Sequence, residues 1–211
     1  MAVNQNCKIK IKIITYDNVE FTINLFSPEL GLSNFLKPIL FSFIDGNVSD
    51  LSWQDIISNY NDYDLDLEKI KEPIVLTGIS SQVFKYLLDF CKKLQDFKDK
   101  NPNNKLSTFT YNILKDDLNK TDIKHSIQIL QGIFYLDLQI GLSKARETWL
   151  INLIANKILD QFNYQEGDNK YMKIIKNYLS ENNIPWWNKF YRYIQPLTEN
   201  QLRNYIKKGQ Y

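Results

Sequence analysis

The sequence predicts an α+β fold: a small three-stranded sheet packed with helices, followed by a C-terminal helical extension. Three observations predict it. Lys8–Ile13 alternates strictly, with Ile9, Ile11 and Ile13 on one side and Lys8, Lys10 and Lys12 on the other, the period of a strand with one wet face. Ile74, Val75 and Leu76 form a short apolar run between Pro73 and Gly78. From Ser80 onward the apolar residues recur at helical spacing.

The elements follow in order. Tyr16, Asp17 and Asn18 end the first strand, and Asn tolerates the left-handed backbone of a tight turn. Phe21, Ile23 and Leu25 then alternate again, which predicts a β-hairpin. Ser33 is placed to cap a helix carrying Phe35, Leu36, Ile39 and Leu40, with Pro38 limiting it or sitting in its first turn. Residues 45–72 are acidic and rich in Asn, Tyr and Asp, and read as a loop with room for a short helix near Trp53. Ile74–Leu76 is the third strand. Ser80 or Ser81 caps a helix with Val83, Phe84, Leu87, Leu88, Cys91 and Leu94 on one face. Residues 96–108 read as a flexible linker. Helices are then expected over Ile123–Leu138, over roughly 143–162, and around Tyr171, Ile174, Ile175, Tyr178 and Leu179. A last helix starts at Thr198, with Gln201 in capping-box position.

Composition narrows the function classes. Of 211 residues 44% are hydrophobic, enough for a sizeable core, and 26 basic against 24 acidic residues leave no field to hold nucleic acid. Lys outnumbers Arg 23 to 3, which argues against bidentate phosphate recognition and, with 23 Asn and 3 Ala, suits an AT-rich genome. Cys7 and Cys91 form no metal or disulfide framework and point to a reducing compartment. Met1 leads through a polar stretch into a strand, so no signal peptide is expected, and no run approaches the ~18 apolar residues of a membrane helix. Catalytic sets are poor. His125 is the one histidine, Asp64, Asp66 and Glu68 lack the glycine and spacing of a calcium loop, and Asp116 and Asp117 read as charge at a helix N-terminus. No cofactor, metal ligand or enzymatic activity is expected.

Two stretches carry a resemblance. One runs from Pro73 to Cys91, the other from Ile129 to Leu138 and ends in Tyr135, Leu136 and Asp137. In this order, after a hairpin with Ile11, Lys12, Ile13, Asp17, Asn18 and Phe21, they resemble the BTB/POZ domain, and more narrowly the Skp family of adaptors in SCF (Skp–cullin–F-box) ubiquitin ligases. Phe90 and Cys91 stand where that family has Trp and Cys. Gly132 through Leu138 is similar to its helix ending Ala-Ala-Asn-Tyr-Leu-Asp-Ile. Gly141, Leu142 and Ile154 through Asn156 look like the segments that follow. Near the end Tyr211 stands thirteen residues after Thr198, where the family has Trp. Phe134 stands where the family has Asn.

The resemblance implies a BTB/POZ (Skp-like) domain over 1–160, with long loops at 45–72 and 96–110, and an extension over 161–211 like the family's F-box-binding tail. It implies a non-catalytic adaptor of the ubiquitin pathway, cytoplasmic or nuclear in a eukaryotic cell. Its partners would be a cullin, met through Phe134 and Tyr135, and an F-box protein, met through Trp187, Tyr205, Lys207, Gln210 and Tyr211. Trp186 and Phe190 read rather as core of the extension. No nucleic-acid or membrane partner is expected. The alternative is a BTB/POZ domain that forms homo-oligomers through its BTB face or serves another scaffold.

Overall fold

The computed structural model describes residues 9–45, 48, 50–59, 63–162 and 171–182, and in them a three-stranded sheet and eight α-helices. The chain divides into two compact units, Met1–Asn104 with Gly132–Ile140, and Lys105–Gln131 with Gly141–Tyr211.

In the first unit β1 (Lys10–Thr15) buries Ile11, Ile13 and Thr15 and turns Lys10 and Lys12 to water, as period 2 requires. Asn18 takes the left-handed turn position at φ 59°. β2 (Glu20–Asn24) returns antiparallel, pairing Ile11 with Ile23 and Ile13 with Phe21. β3 (Ile74–Leu76) lies parallel to β1 on its other side, giving the order β2-β1-β3. A parallel neighbour needs a crossover, and residues 25–73 supply it. They open with a short 3-10 turn, Pro28–Leu32, followed by α1 (Leu36–Phe41). Ser33 does assist that start, for its hydroxyl accepts from the Leu36 N–H at 3.0 Å. Phe35, expected on the apolar face, precedes α1 and is 37% exposed.

The segment expected as an acidic loop with room for a short helix near Trp53 carries that helix and a second one. Ser52 and Asp55 form a capping box at α2 (Trp53–Ser58), and Asp66 caps α3 (Leu67–Lys71). Trp53 is 6% exposed, stacks on Phe26 and Phe41 at ring distances of 6.4 and 5.8 Å, and donates its indole N–H to the Ser27 carbonyl at 3.2 Å. Asp45, Asp50, Asp55, Asp64, Glu68 and Glu72 stay exposed while Trp53 and Ile56 are buried in the core.

α4 (Ser81–Lys100) buries Val83, Phe84, Leu87, Phe90, Cys91 and Leu94, one face of a helix, with Phe84 meeting Phe21 edge-on at 5.0 Å. Ser80 caps it by accepting from the Val83 N–H. Asp17, from the hairpin turn, also accepts from the Ser81 N–H at 2.9 Å and its hydroxyl at 2.6 Å. The loop expected at 96–110 shrinks to 101–105. Asp96, Lys98, Asp99 and Lys100 occupy the wet side of a helix that continues until Pro102 forces Asn101 out of helical geometry.

The second unit begins with α5 (Leu106–Lys120), a helix the sequence did not announce. Its buried stripe is Thr110, Leu114 and Leu118, with a threonine where periodicity expects a hydrocarbon. Asp116 and Asp117 accordingly sit near the end of a helix and not at its start. α6 (Ile123–Tyr135) starts where the Asp122 carboxylate accepts from the His125 N–H at 2.8 Å, and the boundary between the units falls within this helix. α7 (Lys144–Gln161) is capped by Ser143 and buries Trp149, Leu150, Ile151, Ile154 and Ile158. Tyr111 meets Trp149 edge-on at 5.2 Å, and Lys157 Nζ donates to the Leu118 and Thr121 carbonyls at 2.7 and 2.8 Å, closing the C-terminal end of α5. α8 (Tyr171–Glu181) buries Ile175 and Leu179. Among the described residues no helix is long and apolar enough to cross a membrane.

Candidate functional site

The end of α6 is a Schellman stop. The Leu138 N–H bonds back to the Ile133 carbonyl at 3.1 Å and the Asp137 N–H to Phe134 at 3.2 Å, with Asp137 left-handed at φ 44°. Tyr135, Leu136 and Asp137 therefore have distinct jobs. Tyr135 is the last helical residue, Leu136 is buried at 3% exposure, and Asp137 reverses the chain.

The reversed chain then runs along residues 32–35. Asn34 and Phe35 N–H groups donate to the Asp137 and Leu136 carbonyls at 3.2 and 3.3 Å, and the Gln139 N–H donates to Leu32 at 2.7 Å. The buried Ser33 hydroxyl donates to the Leu136 carbonyl at 2.7 Å. This clamp brings Phe35 against Tyr135, with ring centroids 5.1 Å apart and tilted by 39°. The Tyr135 ring also lies directly on Gly78, where an added Cβ would fall 2.6 Å from Cε2. Gly132, one turn earlier, similarly admits Leu87 and Val83 of α4. The small residues of both sequence stretches are thus explained by close approach.

Of the residues expected at a cullin interface, Tyr135 is half-buried between Gly78 and Phe35, and Phe134 beside it is half-buried too. Phe35 and Gly78 were not foreseen as its neighbours. Nothing local in the sequence signals a contact across 100 residues. Trp187, Tyr205, Lys207, Gln210 and Tyr211 lie outside the described residues, as do Trp186 and Phe190.

Side chains of opposite charge end a polar chain that joins residues 34–37 to residues 137–139, the segments that contain Phe35 and follow Tyr135. Lys37 Nζ donates to Gln139 Oε1 at 3.1 Å, Gln139 Nε2 to Asn34 Oδ1 at 2.6 Å, and Asn34 Nδ2 to Asp137 Oδ2 at 3.1 Å. Burial lowers the Lys37 pKa below the ordinary lysine value. Elsewhere in this unit Cys91 lines an apolar dimple of about 10 Å³, with Leu30, Leu36, Phe84, Leu87 and Leu138. That is room for about one water molecule. Burial pushes the Cys91 thiol up to about 12, so it is a small hydrophobe and not a nucleophile at neutral pH. Among the described residues no group of three His, Cys, Asp or Glu side chains is placed to hold a metal.

The arrangement can therefore offer a partner one firm aromatic ridge with a polar rim. No protein-family model, curated protein or solved structure matches the chain.

Proposed function

We propose that the chain is a non-catalytic adaptor of the BTB/POZ, Skp-like kind, joining a cullin scaffold through the surface around Tyr135 to an F-box protein through its C-terminal extension. The observation that carries the reading is the Phe35–Tyr135 pair, two aromatic rings held at the surface by Gly78 and the clamp of residues 33–35 on 136–139. A pre-positioned aromatic buries much area on binding and loses little entropy, which makes it a good anchor. Further support is the element order, a hairpin, a helix-bearing connection, a third strand and then helices, which is the order along the chain that the resemblance led one to expect.

The test is capture of a purified cullin N-terminal fragment by the full chain. Tyr135→Ala and Phe35→Ala should each weaken it about thirtyfold, the effect of an interface hot spot of ~2 kcal/mol. Tyr135→Phe should keep most of the affinity. Wild-type chain that captures neither the cullin fragment nor an F-box protein would overturn the reading. Light scattering after size exclusion checks self-association, the alternative that the 37% exposure of Phe35 also suits.

A further inference from the structure

The chain of hydrogen bonds beside the aromatic pair has a fixed direction. A carboxylate only accepts, so Asn34 must turn its amide N–H toward Asp137 and its carbonyl toward Gln139. An ammonium only donates, so Gln139 must turn its carbonyl toward Lys37. The two ends fix both amides consistently. Opposite charges are thus held apart by two neutral carboxamides instead of pairing. Three ion pairs occur among the described residues, and neither Lys37 nor Asp137 takes part in them. Lys37 is half-buried, so it gives up hydration without a carboxylate to replace it.

We infer that Lys37 and Asp137 read the charge order of the docking partner, taking a carboxylate opposite Lys37 and a basic side chain opposite Asp137, beside an apolar side chain seated on Phe35 and Tyr135. The inference rests on the docking reading above. Its occupant is a segment of the partner protein carrying both charges. Rim charges of this sort set specificity and encounter rate more than total affinity. Fixed opposite charges at the two ends of the polar chain also select one orientation of that segment, because reversing it sets like charges together.

The experiment measures binding of the cullin N-terminal fragment to the full chain across a salt series. The variants are Lys37→Met, Lys37→Glu, Asp137→Asn and Tyr135→Ala. Asp137→Asn keeps an acceptor for Asn34 and suits the left-handed backbone, so it removes charge with little change of shape. Each neutral variant should weaken binding about threefold to fivefold at low salt and flatten its salt dependence. Lys37→Glu should weaken it more than Lys37→Met. Suppose Tyr135→Ala weakens binding while the charge variants leave affinity and salt dependence unchanged. Then the charge reading is wrong and the docking reading stands. If the wild-type chain does not bind the fragment, or Tyr135→Ala changes nothing, the docking reading falls and takes the charge reading with it.

Discussion

Gly31→Ala tests the aromatic stack that holds residues 45–72 in place. A Cβ at Gly31 would lie 2.0 Å from Trp53 Cδ1, 2.5 Å from Cγ and 2.9 Å from Cβ. Contact between carbons at rest is about 3.5–4.0 Å, so the indole must withdraw by about 1.5 Å or leave. The clash includes the Trp53 Cβ, which rotation of the side chain does not move, so the start of α2 has to shift. Leaving forfeits the stack on Phe26 and Phe41 and the bond to the Ser27 carbonyl. The loss should approach that of a buried Trp→Ala change, about 3–5 kcal/mol. Urea denaturation at constant m-value reads it, and limited proteolysis should show new cleavage within 45–72. The decisive half is the double mutant. Gly31 does not use left-handed backbone, so once Trp53→Gly has removed the whole side chain, Cβ included, an alanine fits. In that background Gly31→Ala should be neutral or stabilise by about 0.5 kcal/mol. The same substitution thus changes sign, with a coupling of several kcal/mol. Equal cost in both backgrounds, or a cost below about 1 kcal/mol in the wild type, refutes the reasoning.

In a Cys7→Ser variant, Cys91 should stay unreactive toward a disulfide reagent at pH 8 and become modified only as the chain unfolds, because burial holds the thiol up to about 12. Fast modification of the native protein would show an open core. Asp17 has its carboxyl held below the usual 3.8, first by the Ser81 hydroxyl and then by Thr15. Its contribution is therefore present above the unfolded value and is lost as pH falls through the lower folded one. Asp17→Asn should cost about 1 kcal/mol at neutral pH, the difference between a charged and a neutral acceptor for the Ser81 and Thr15 donors, and the gap to the wild type should close in acid. Denaturation curves across pH check this, and a gap unchanged in acid would exclude a charge effect. Lys157→Met should cost about 1.5 kcal/mol in urea, since it strips two carbonyls at the end of α5 of a charged donor. A change within error would mean that water replaces the ammonium freely.

How much was legible depended on how local the physics was. β1, β2 and β3 follow from period 2 and short apolar runs, and the face of α4 from five of the six apolar positions expected on it, with Phe90 buried where the half-buried Leu88 was expected. The end of α4 was obscured because a helix with a wet face tolerates the same Asp and Lys that fill a linker. α5 was hidden because Thr110 is buried in a stripe that hydrocarbon counting skips. The contacts of Tyr135 with Gly78 and Phe35 join residues far apart in sequence, and no periodicity encodes them. What sequence could supply was the pair of small residues, Gly78 and Gly132, whose meaning appears only with Tyr135, Leu87 and Val83 beside them.

Tyr135, Leu136 and Asp137 show why the fold and the proposed docking surface are hard to separate. Asp137 ends α6 by turning left-handed, a role for its backbone. Its carboxylate anchors one end of the polar chain that joins residues 34–37 to residues 137–139, a role for its side chain. Leu136 is buried and accepts the Ser33 and Phe35 donors that bring Phe35 to Tyr135. A change that breaks the helix stop must therefore also scatter the aromatic ridge, and loss of binding alone says nothing about which role failed. Substitutions that keep the backbone role, such as Asp137→Asn and Tyr135→Phe, separate the two, because a left-handed Asn still stops the helix and a Phe ring still rests on Gly78.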